Sequence, residues 1–315
     1  MFHRICYSSP TLKSLIIKAG SMNKSERVDA LGLINIDDLQ DLDYIYEQTS
    51  DEFLDQFLTI YHDSFVFKDK NQLFAKVLRN YFNTQLDFKV LGLKTPTTVL
   101  DQIVDHESNH PIWSVHDLLQ HRFTGNKFIF GAFHPLLGNR LLGYLKIALD
   151  NKVASNVNDL LMNSSNEFDI ANFYSIISPH SYLSGLGIGK LLISKAVSYL
   201  QYKHNTSGFY TLSPIPNFVK WTISQHKTIG HDTLLPLALE YLMTSKKGFL
   251  CHCPVQNFHL QNGASLYRIN NKANVSRLGL QTSMGVMVNY EYDLATMAIN
   301  SSNYIKEGRI VNKCL

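Results

Sequence analysis

Apolar residues recur at helical spacing in the first third of the chain. The residues that share the first apolar face are Phe53, Phe57, Ile60 and Tyr61, preceded by Thr49 and Glu52 at capping-box spacing. A second face is formed by Leu73, Val77, Leu78 and Tyr81. Because neither stretch contains glycine or proline, the pattern predicts uninterrupted helices between about Asp37 and Leu93, with a break at Thr95-Pro96.

The pattern changes after Thr95. A short helix is predicted to begin at Ser114, where Asp117 follows three residues later. Strands are predicted at Lys127 to Phe133, Leu141 to Leu149, Asn172 to Ser178 and Phe209 to Leu212, and a helix at Lys190 to Leu200. Mixed strands and helices of this kind predict an α/β or α+β domain built on a central sheet.

The first 25 residues differ from the rest of the chain because they are basic and contain no acidic residue before Glu26. Apolar residues stand at helical spacing at Leu12, Leu15, Ile16 and Ala19. A basic amphipathic segment is typical of a mitochondrial transit peptide, so we expect the mitochondrial matrix, with cytoplasm and peroxisome as alternatives. The last three residues lack the S-K-L order of a peroxisomal signal. A disordered N-terminal tail is the other interpretation of residues 1–25.

Composition narrows the function classes. The 315 residues suffice for one large domain or two, and 45% hydrophobic with 17% charged residues is ordinary for a globular protein. A net charge of +3, without a basic stripe, argues against nucleic acid as a partner, and no apolar run is long enough to span a membrane. Four cysteines, including the C-H-C run at Cys251 to Cys253, form neither a disulfide framework nor a complete zinc ligand set, so no metal is expected.

A glycine-rich segment lies between the predicted strand at Asn172 and the predicted helix at Lys190. It consists of Ser184, Gly185, Leu186, Gly187, Ile188, Gly189 and Lys190. Such a turn presents several backbone N–H groups to one anion at a helix N-terminus. The Walker A spacing does not match, because Ser184 stands where that motif has its first glycine. The dinucleotide-binding pattern G-x-G-x-x-G does not match either, because the glycines here run G-x-G-x-G. The segment resembles the pyrophosphate loop of GNAT-type acyl-CoA enzymes.

Two further strings carry a family resemblance. The chain reads TLSPIPNFVKW from Thr211 to Trp221, and CPVQNFHLQNG followed by NVSRLG and NYEY from Cys253 onwards. Together with FGAFHP at Phe130 and NFYSIIS at Asn172, these strings resemble malonyl-CoA decarboxylase over most of the chain from about Glu26 to Tyr292. The resemblance implies a helical assembly domain at 26–94, after the transit peptide at 1–25, and a GNAT-like mixed-sheet catalytic domain at 95–300. A C-terminal tail would follow at 301–315.

The resemblance also implies a reaction and its residues. Malonyl-CoA would be converted to acetyl-CoA and carbon dioxide without a cofactor, by a homo-oligomer assembled through the helical domain. Ser213 in the SPIP turn and His259 in the NFHLQNG segment match the family's catalytic pair, and Tyr292 matches an active-site tyrosine. Ser175 and Asn257 are weaker candidates. We expect His259, with an ordinary pKa near 6.5, to donate and recover a proton at neutral pH.

The chain departs from the family in ways that leave alternatives open. Gly187 stands where the family has a glutamate, Lys146 where it has an acidic residue, and Asn274 where it has an aspartate. Several dozen residues that the family carries after Trp221 are missing before Leu234. A catalytically weak or inactive malonyl-CoA or acyl-CoA binding protein is therefore the first alternative. An acetyltransferase, which shares the coenzyme loop, is the second.

Overall fold

The computed structural model describes residues 11–34, 50–107, 112, 114–123, 125–162, 168–228, 230 and 232–314. In these ranges, helices precede the first strand. They are α1 Leu12–Lys18, α2 Lys24–Leu33, α3 Asp51–Asp63 and α4 Lys68–Gln85, with short 3-10 helices at Ala19–Ser21 and Ser64–Val66. The Ser50 side chain caps α3 by accepting a hydrogen bond from the Phe53 N–H at 3.2 Å. The predicted cap residue Thr49 lies outside the described residues.

The predicted helical faces are confirmed. All four residues of the first face are buried, namely Phe53, Phe57, Ile60 and Tyr61. Val77, Leu78 and Tyr81 of the second face are also buried. These side chains share one hydrophobic core with the large sheet that follows, because they cluster with apolar residues of its strands. The helices and the sheet are therefore stabilised by the same burial of apolar surface.

The predicted transit peptide overlaps the folded helices. Leu12, Leu15 and Ile16 of α1, with Ala19 beside it, are buried and α1 packs against α3. The predicted boundary at residue 25 falls inside α2. The same periodicity that suggested a targeting helix therefore contributes to the core, because an amphipathic helix serves either purpose. Residues 1–10 lie outside the described part of the chain.

Eight strands within the described ranges form one mixed sheet. These strands are β1 Asp87–Leu91, β2 Lys127–Phe133, β3 Gly143–Asp150, β4 Ile170–Ile177, β5 Gly208–Thr211, β6 Ser213–Pro214, β9 Ser265–Asn270 and β10 Met287–Glu291. Their order in the sheet is β1-β2-β3-β4-β5-β10-β6, with β9 paired to β10. A separate hairpin pairs β7 Lys246–Lys247 with β8 Leu250–Cys251. The expected fold class, helices followed by a mixed-sheet domain, is confirmed.

Further helices cover the sheet. They are α5 Thr97–His106, α6 Val115–Arg122, α7 Val157–Met162, α8 Ile188–His204, α9 Phe218–Ser224, α10 Leu234–Thr244, α11 Pro254–Gln261, α12 Arg277–Ser283 and α13 Met297–Glu307, with short 3-10 helices at Pro135–Leu137 and Ser181–Leu183. Ser114 caps α6 as predicted, since its side chain accepts from the Asp117 N–H. None of the helices in the described ranges has the length and apolarity that a membrane span requires.

Two predicted boundaries differ from the bounds of the observed helices and strands. The helical prediction extended to Leu93, but α4 ends at Gln85 and Asp87–Leu91 forms the edge strand β1, paired with β2. Pairing with a neighbouring strand satisfies the backbone hydrogen-bonding groups of this segment. The periodicity of the sequence does not reveal such pairing. The tail predicted from residue 301 begins inside α13, where Tyr304 is buried, and a bridge joins Asn312 to Leu266.

The position of the site follows from β4 and β5. The helix α8 connects these strands, and they pair in parallel from Ile170 to Phe173 on β4. β5 ends at Thr211 while β4 continues to Ile177, so no strand among the described residues lies beside the carboxyl half of β4 on that side. In open sheets, ligands bind at such carboxyl ends, next to the N-terminus of the crossover helix.

Candidate active site

Ser213 and His259 lie within hydrogen-bonding distance of each other. Ser213 opens β6, which pairs with β10, and Pro214 and Pro216 restrict the turn that follows. His259 lies in the last turn of α11, which begins at Pro254. The Ser213 Oγ is 3.0 Å from the His259 Nε2, although 46 residues separate them in the chain. The fold therefore brings together the two residues predicted as a pair.

The other ring nitrogen of His259 contacts Tyr292. The His259 Nδ1 lies 2.8 Å from the Tyr292 hydroxyl, and the Tyr290 ring stacks on the imidazole with 4.7 Å between centroids. His259 is 4% exposed and Tyr292 is 1% exposed. Tyr292, His259 and Ser213 thus form one continuous, buried hydrogen-bonded chain.

Burial keeps this imidazole neutral. Desolvation lowers the pKa of His259 to about 3, and its hydrogen-bonding partners Ser213 and Tyr292 carry no charge that would offset the effect. Burial raises the pKa of Tyr292, so its hydroxyl keeps its proton. The pKa of His259 therefore lies well below the value near 6.5 that was expected from the sequence. A neutral ring has one N–H, so it donates to one partner and accepts from the other.

Thr211 extends the chain beyond Ser213. The Thr211 Oγ1 lies 2.9 Å from the Ser213 Oγ and accepts a hydrogen bond from the Tyr290 backbone N–H at 3.0 Å. Thr211 is fully buried at the end of β5. Sequence reasoning missed this residue, although its spacing of two from Ser213 in an extended segment places both side chains on one face. Thr211 therefore anchors the Ser213 hydroxyl to the sheet.

The glycine-rich segment forms the turn into α8. Gly187 is the N-cap of α8 with φ +80°, and Gly185 has φ +81°, a conformation that side chains with a Cβ rarely adopt. A Cβ at Gly189 would lie 2.9 Å from the ring of Phe258 on α11. The glycines therefore allow the turn and its close approach to the helix that carries His259.

Several backbone N–H groups of this turn are available to a ligand. Within the described ranges, no backbone carbonyl accepts a hydrogen bond from the N–H groups of Gly185, Gly187, Ile188, Gly189 or Lys190. The N–H groups from Gly187 to Lys190 are the donors that the start of a helix leaves without an intrahelical partner, and the N–H of Gly185 belongs to the turn that precedes α8. Since the helix dipole is positive at the same end, the turn is suited to bind an anion.

A cavity of about 560 Å³ joins this turn to the Ser213–His259 pair. All of the seven predicted loop residues line it except Leu186, whose side chain is buried in the hydrophobic core. Ser175, Ser213 and His259 line the cavity as well, whereas Tyr292 lies behind His259. The predicted coenzyme loop and the predicted catalytic pair thus face one pocket.

A buried ion pair lies beside Ser175. Lys146 of β3 and Glu107, which follows α5, form an ion pair with both side chains fully buried. The Ser175 Oγ donates to the Glu107 Oε2 at 3.2 Å, and Tyr144 donates to the same oxygen at 3.5 Å. Lys146 was noted in the sequence only as a departure from the family, and Glu107 was not predicted at all. The pair holds the Ser175 hydroxyl at the edge of the cavity.

Asn257 is not brought to the cavity. Its Oδ1 accepts a hydrogen bond from the Tyr304 hydroxyl at 2.7 Å, which ties α11 to α13. His134 of the FGAFHP motif stacks on Tyr81 at 5.1 Å between centroids and is not among the residues that line the cavity. Both side chains therefore have packing roles in this structure. Within the described ranges, no group of three or more His, Cys, Asp or Glu side chains is arranged to hold a metal ion.

A family profile accounts for most of the chain. The profile of the malonyl-CoA decarboxylase C-terminal domain matches residues 85–234 and 228–314. The chain belongs to the malonyl-CoA decarboxylase family. Because the profile matches in two pieces that meet at 228–234, the interruption coincides with the place where the sequence indicated missing residues.

Curated relatives agree with this membership, and solved structures agree with the fold. The mitochondrial malonyl-CoA decarboxylases of Anser anser anser and Rattus norvegicus are each 28% identical in an alignment 295 positions long, which covers 76% of this chain. The chain spans only 58% and 60% of their respective lengths. The malonyl-CoA decarboxylase structure from Cupriavidus metallidurans matches with a TM-score of 0.73 and 20% identity, over 98% of this chain and 94% of that one. The structure from Agrobacterium vitis matches with a TM-score of 0.73 and 23% identity, over 96% and 88%. At these identities the structures support the fold alone.

Proposed function

We propose that the protein is a carboxy-lyase that converts malonyl-CoA to acetyl-CoA and carbon dioxide, as a malonyl-CoA decarboxylase of fatty-acid metabolism. The single observation that carries the proposal is the 3.0 Å contact between Ser213 Oγ and His259 Nε2 inside the cavity that the glycine loop borders. Membership of the family and the names of the curated relatives support it.

The reaction needs no resident cofactor. The bond between C2 and the carboxylate breaks, carbon dioxide leaves, and the electron pair moves into the thioester to form an enolate. The thioester carbonyl itself is the electron sink. One proton then adds to C2, so malonyl-CoA and a proton give acetyl-CoA and carbon dioxide. The protein must therefore hold the coenzyme, stabilise the developing oxyanion and deliver one proton.

We assign the proton delivery to His259 and the oxyanion contact to Ser213. The ring is neutral before substrate arrives because burial lowers its pKa to about 3. The malonyl carboxylate brings a negative charge into the same buried pocket, and a nearby negative charge raises the pKa of an imidazole. His259 then takes up a proton together with the substrate and releases it to C2 as the carboxylate is lost. Tyr292 keeps the ring oriented through Nδ1.

We assign the coenzyme pyrophosphate to the turn from Ser184 to Lys190. Its free N–H groups and the N-terminus of α8 provide the donors, and Lys190 provides a positive charge at the cavity. Ser175, held by Glu107, is assigned to the wall of the pocket near the acyl group.

The proposal is tested by incubating the purified protein with malonyl-CoA and measuring acetyl-CoA and carbon dioxide. We expect equal amounts of both products, and we expect a Ser213→Ala, His259→Asn double variant to form them at least about 10²-fold more slowly while still binding coenzyme A. Coenzyme binding without turnover in the wild-type protein would contradict the decarboxylase assignment. That result would support the alternative of an acyl-CoA binding protein.

The remaining assignments concern assembly and location. We assign the helices before β1 to a homo-oligomer contact, because the apolar side chains Ile17, Leu33, Phe65 and Val66 are exposed there. Light scattering of the purified protein, with a Val66→Glu variant that should dissociate, tests this. We assign the protein to mitochondria on the basic residues before Glu26 and on the names of the relatives. Localising a tagged full-length chain in cells tests that assignment.

A further inference from the structure

A tyrosine of the helical domain contacts the glycine loop. The Tyr61 hydroxyl, at the end of α3, donates a hydrogen bond to the Ser184 carbonyl oxygen at 2.6 Å, across 123 residues of sequence. The α3 helix packs against the 3-10 helix Ser181–Leu183 that leads into the loop. A Cβ added to Gly185 would lie 3.1 Å from the Tyr61 hydroxyl. The loop backbone is therefore in direct contact with this side chain.

The contact sets the orientation of one peptide group. The carbonyl of Ser184 and the N–H of Gly185 belong to the same planar trans peptide, so they point in opposite directions. Because the carbonyl points to Tyr61 in the helical domain, the N–H of Gly185 points away from that domain. Ser184 and Gly185 both line the cavity, and in the described ranges this N–H donates to no backbone carbonyl.

The position of Tyr61 is itself determined by its surroundings. Tyr61 is 1% exposed, and its ring packs against Phe65 with 5.5 Å between centroids. Its backbone carbonyl accepts hydrogen bonds from the Ser64 Oγ at 2.7 Å and the Asn71 Nδ2 at 3.3 Å. Burial raises the pKa of the Tyr61 hydroxyl, so it retains the proton that it donates.

We infer that Tyr61 is a positioning residue for the coenzyme, because its hydrogen bond to Ser184 directs the Gly185 N–H towards the pyrophosphate. This inference rests on the proposed coenzyme site and gives the helical domain a part in substrate binding in addition to assembly. An ion pair between Asp55 of α3 and Arg140, which lies between β2 and β3, ties the same helix to the sheet domain. The loop is thus held by a helix that is itself fixed to the sheet.

The test is a Tyr61→Phe variant, which keeps the ring and removes the hydroxyl. A single hydrogen bond typically corresponds to about a threefold to tenfold change in affinity, so we expect coenzyme A to bind that much more weakly by calorimetry. Pantetheine, which lacks the pyrophosphate, should bind equally well to both proteins in a ligand-observed NMR titration. In turnover assays KM for malonyl-CoA should rise while kcat stays within about twofold, as expected when uniform binding is lost.

Tyr81→Phe is the matched control. It removes a buried hydroxyl from α4, where the ring contacts Phe82 and His134. We expect it to leave both affinities unchanged. A Gly185→Ala variant provides a second route, because its Cβ crowds the Tyr61 hydroxyl at a φ of +81°. This variant should also bind coenzyme A more weakly and bind pantetheine with unchanged affinity.

Unchanged affinity of Tyr61→Phe for coenzyme A would overturn the inference. An equal loss for coenzyme A and pantetheine would overturn it too, because the hydroxyl would then support the whole pocket and not the pyrophosphate. These binding measurements do not require turnover. A protein that binds coenzyme A without decarboxylating malonyl-CoA would therefore contradict the proposed reaction and still leave the role of Tyr61 to be decided by the affinities.

Discussion

Acidification should destabilise the wild-type protein more than a His259→Gln variant. In the folded protein, burial lowers the pKa of His259 to about 3 from an ordinary value of 6.5. Between these values the unfolded chain binds a proton that the native ring does not, so the folded state loses stability as the pH falls. The full stability of the folded state is therefore present above the pKa that His259 has in the unfolded chain. It is lost progressively as the pH decreases from that value towards the pKa of His259 in the folded protein.

The size of the effect follows from the two pKa values. Each pH unit below the unfolded pKa costs about 1.4 kcal/mol while the native ring remains neutral. At about pH 5, which is about 1.5 units below that value, the loss is about 2 kcal/mol, and at about pH 7.5 it is close to zero. Glutamine does not titrate, so the variant lacks this contribution at every pH.

Urea unfolding followed by circular dichroism, at about pH 7.5 and about pH 5, measures the difference. The variant also loses hydrogen bonds to Ser213 and Tyr292, which lowers its free energy of unfolding at both pH values and cancels in the comparison. His134, whose pKa burial lowers to about 4, titrates in both proteins and cancels as well. We therefore expect the wild-type protein to lose about 2 kcal/mol more than the variant between the two conditions.

Equal losses in the two proteins would refute this reasoning. They would mean that the imidazole binds a proton in the native state about as readily as in the unfolded chain. The ring would then be solvated or paired with a negative charge, and the proposal that the substrate carboxylate drives its protonation would lose its basis.

Three further results are expected. Ser213→Ala should lower kcat by about 10² to 10⁴, and combining it with His259→Asn should add little in the malonyl-CoA assay, because the two residues act as a unit; losses that multiply would argue against the pair. Tyr292→Phe keeps the ring but removes the hydroxyl at the His259 Nδ1, so the free energy of unfolding should fall by about 1 kcal/mol together with kcat; unchanged kinetics would mean that the hydroxyl does not orient the imidazole. Lys146→Met leaves Glu107 charged and buried, so it should lower the free energy of unfolding in urea by about 3–5 kcal/mol, and adding Glu107→Gln should restore much of that loss. An unchanged free energy of unfolding in Lys146→Met would show that the pair is not ionised.

The local sequence pattern was sufficient to predict those helices and strands whose formation depends on residues close together in the chain. The strand at Lys127–Phe133 was predicted at its observed bounds, and the helix after the glycine loop was predicted within its observed range of Ile188–His204. Apolar periodicity determines these elements because the buried face must recur with the period of the helix or strand. The strand at Asp87–Leu91 was missed because its stability comes from pairing with β2.

The candidate site divides in the same way. Ser213, His259, Tyr292 and the loop from Ser184 to Lys190 were named from the sequence, because each stands in a motif that resembles the family. Their convergence on one cavity depends on contacts between residues far apart in the chain. Thr211 belongs to the same network but carried no motif signal of its own beyond its spacing from Ser213.

The amino-acid sequence alone determined the family, the class of fold and the chemical groups available for catalysis, since these follow from motifs, periodicity and residue type. Only the tertiary structure decided the protonation state of His259, because desolvation depends on what surrounds the ring. It also decided that Glu107 accompanies Lys146 in the interior, and that Tyr61 of α3 contacts the glycine-rich segment at Ser184. These properties arise from contacts across about 40 to 120 residues of chain, which local sequence patterns do not encode.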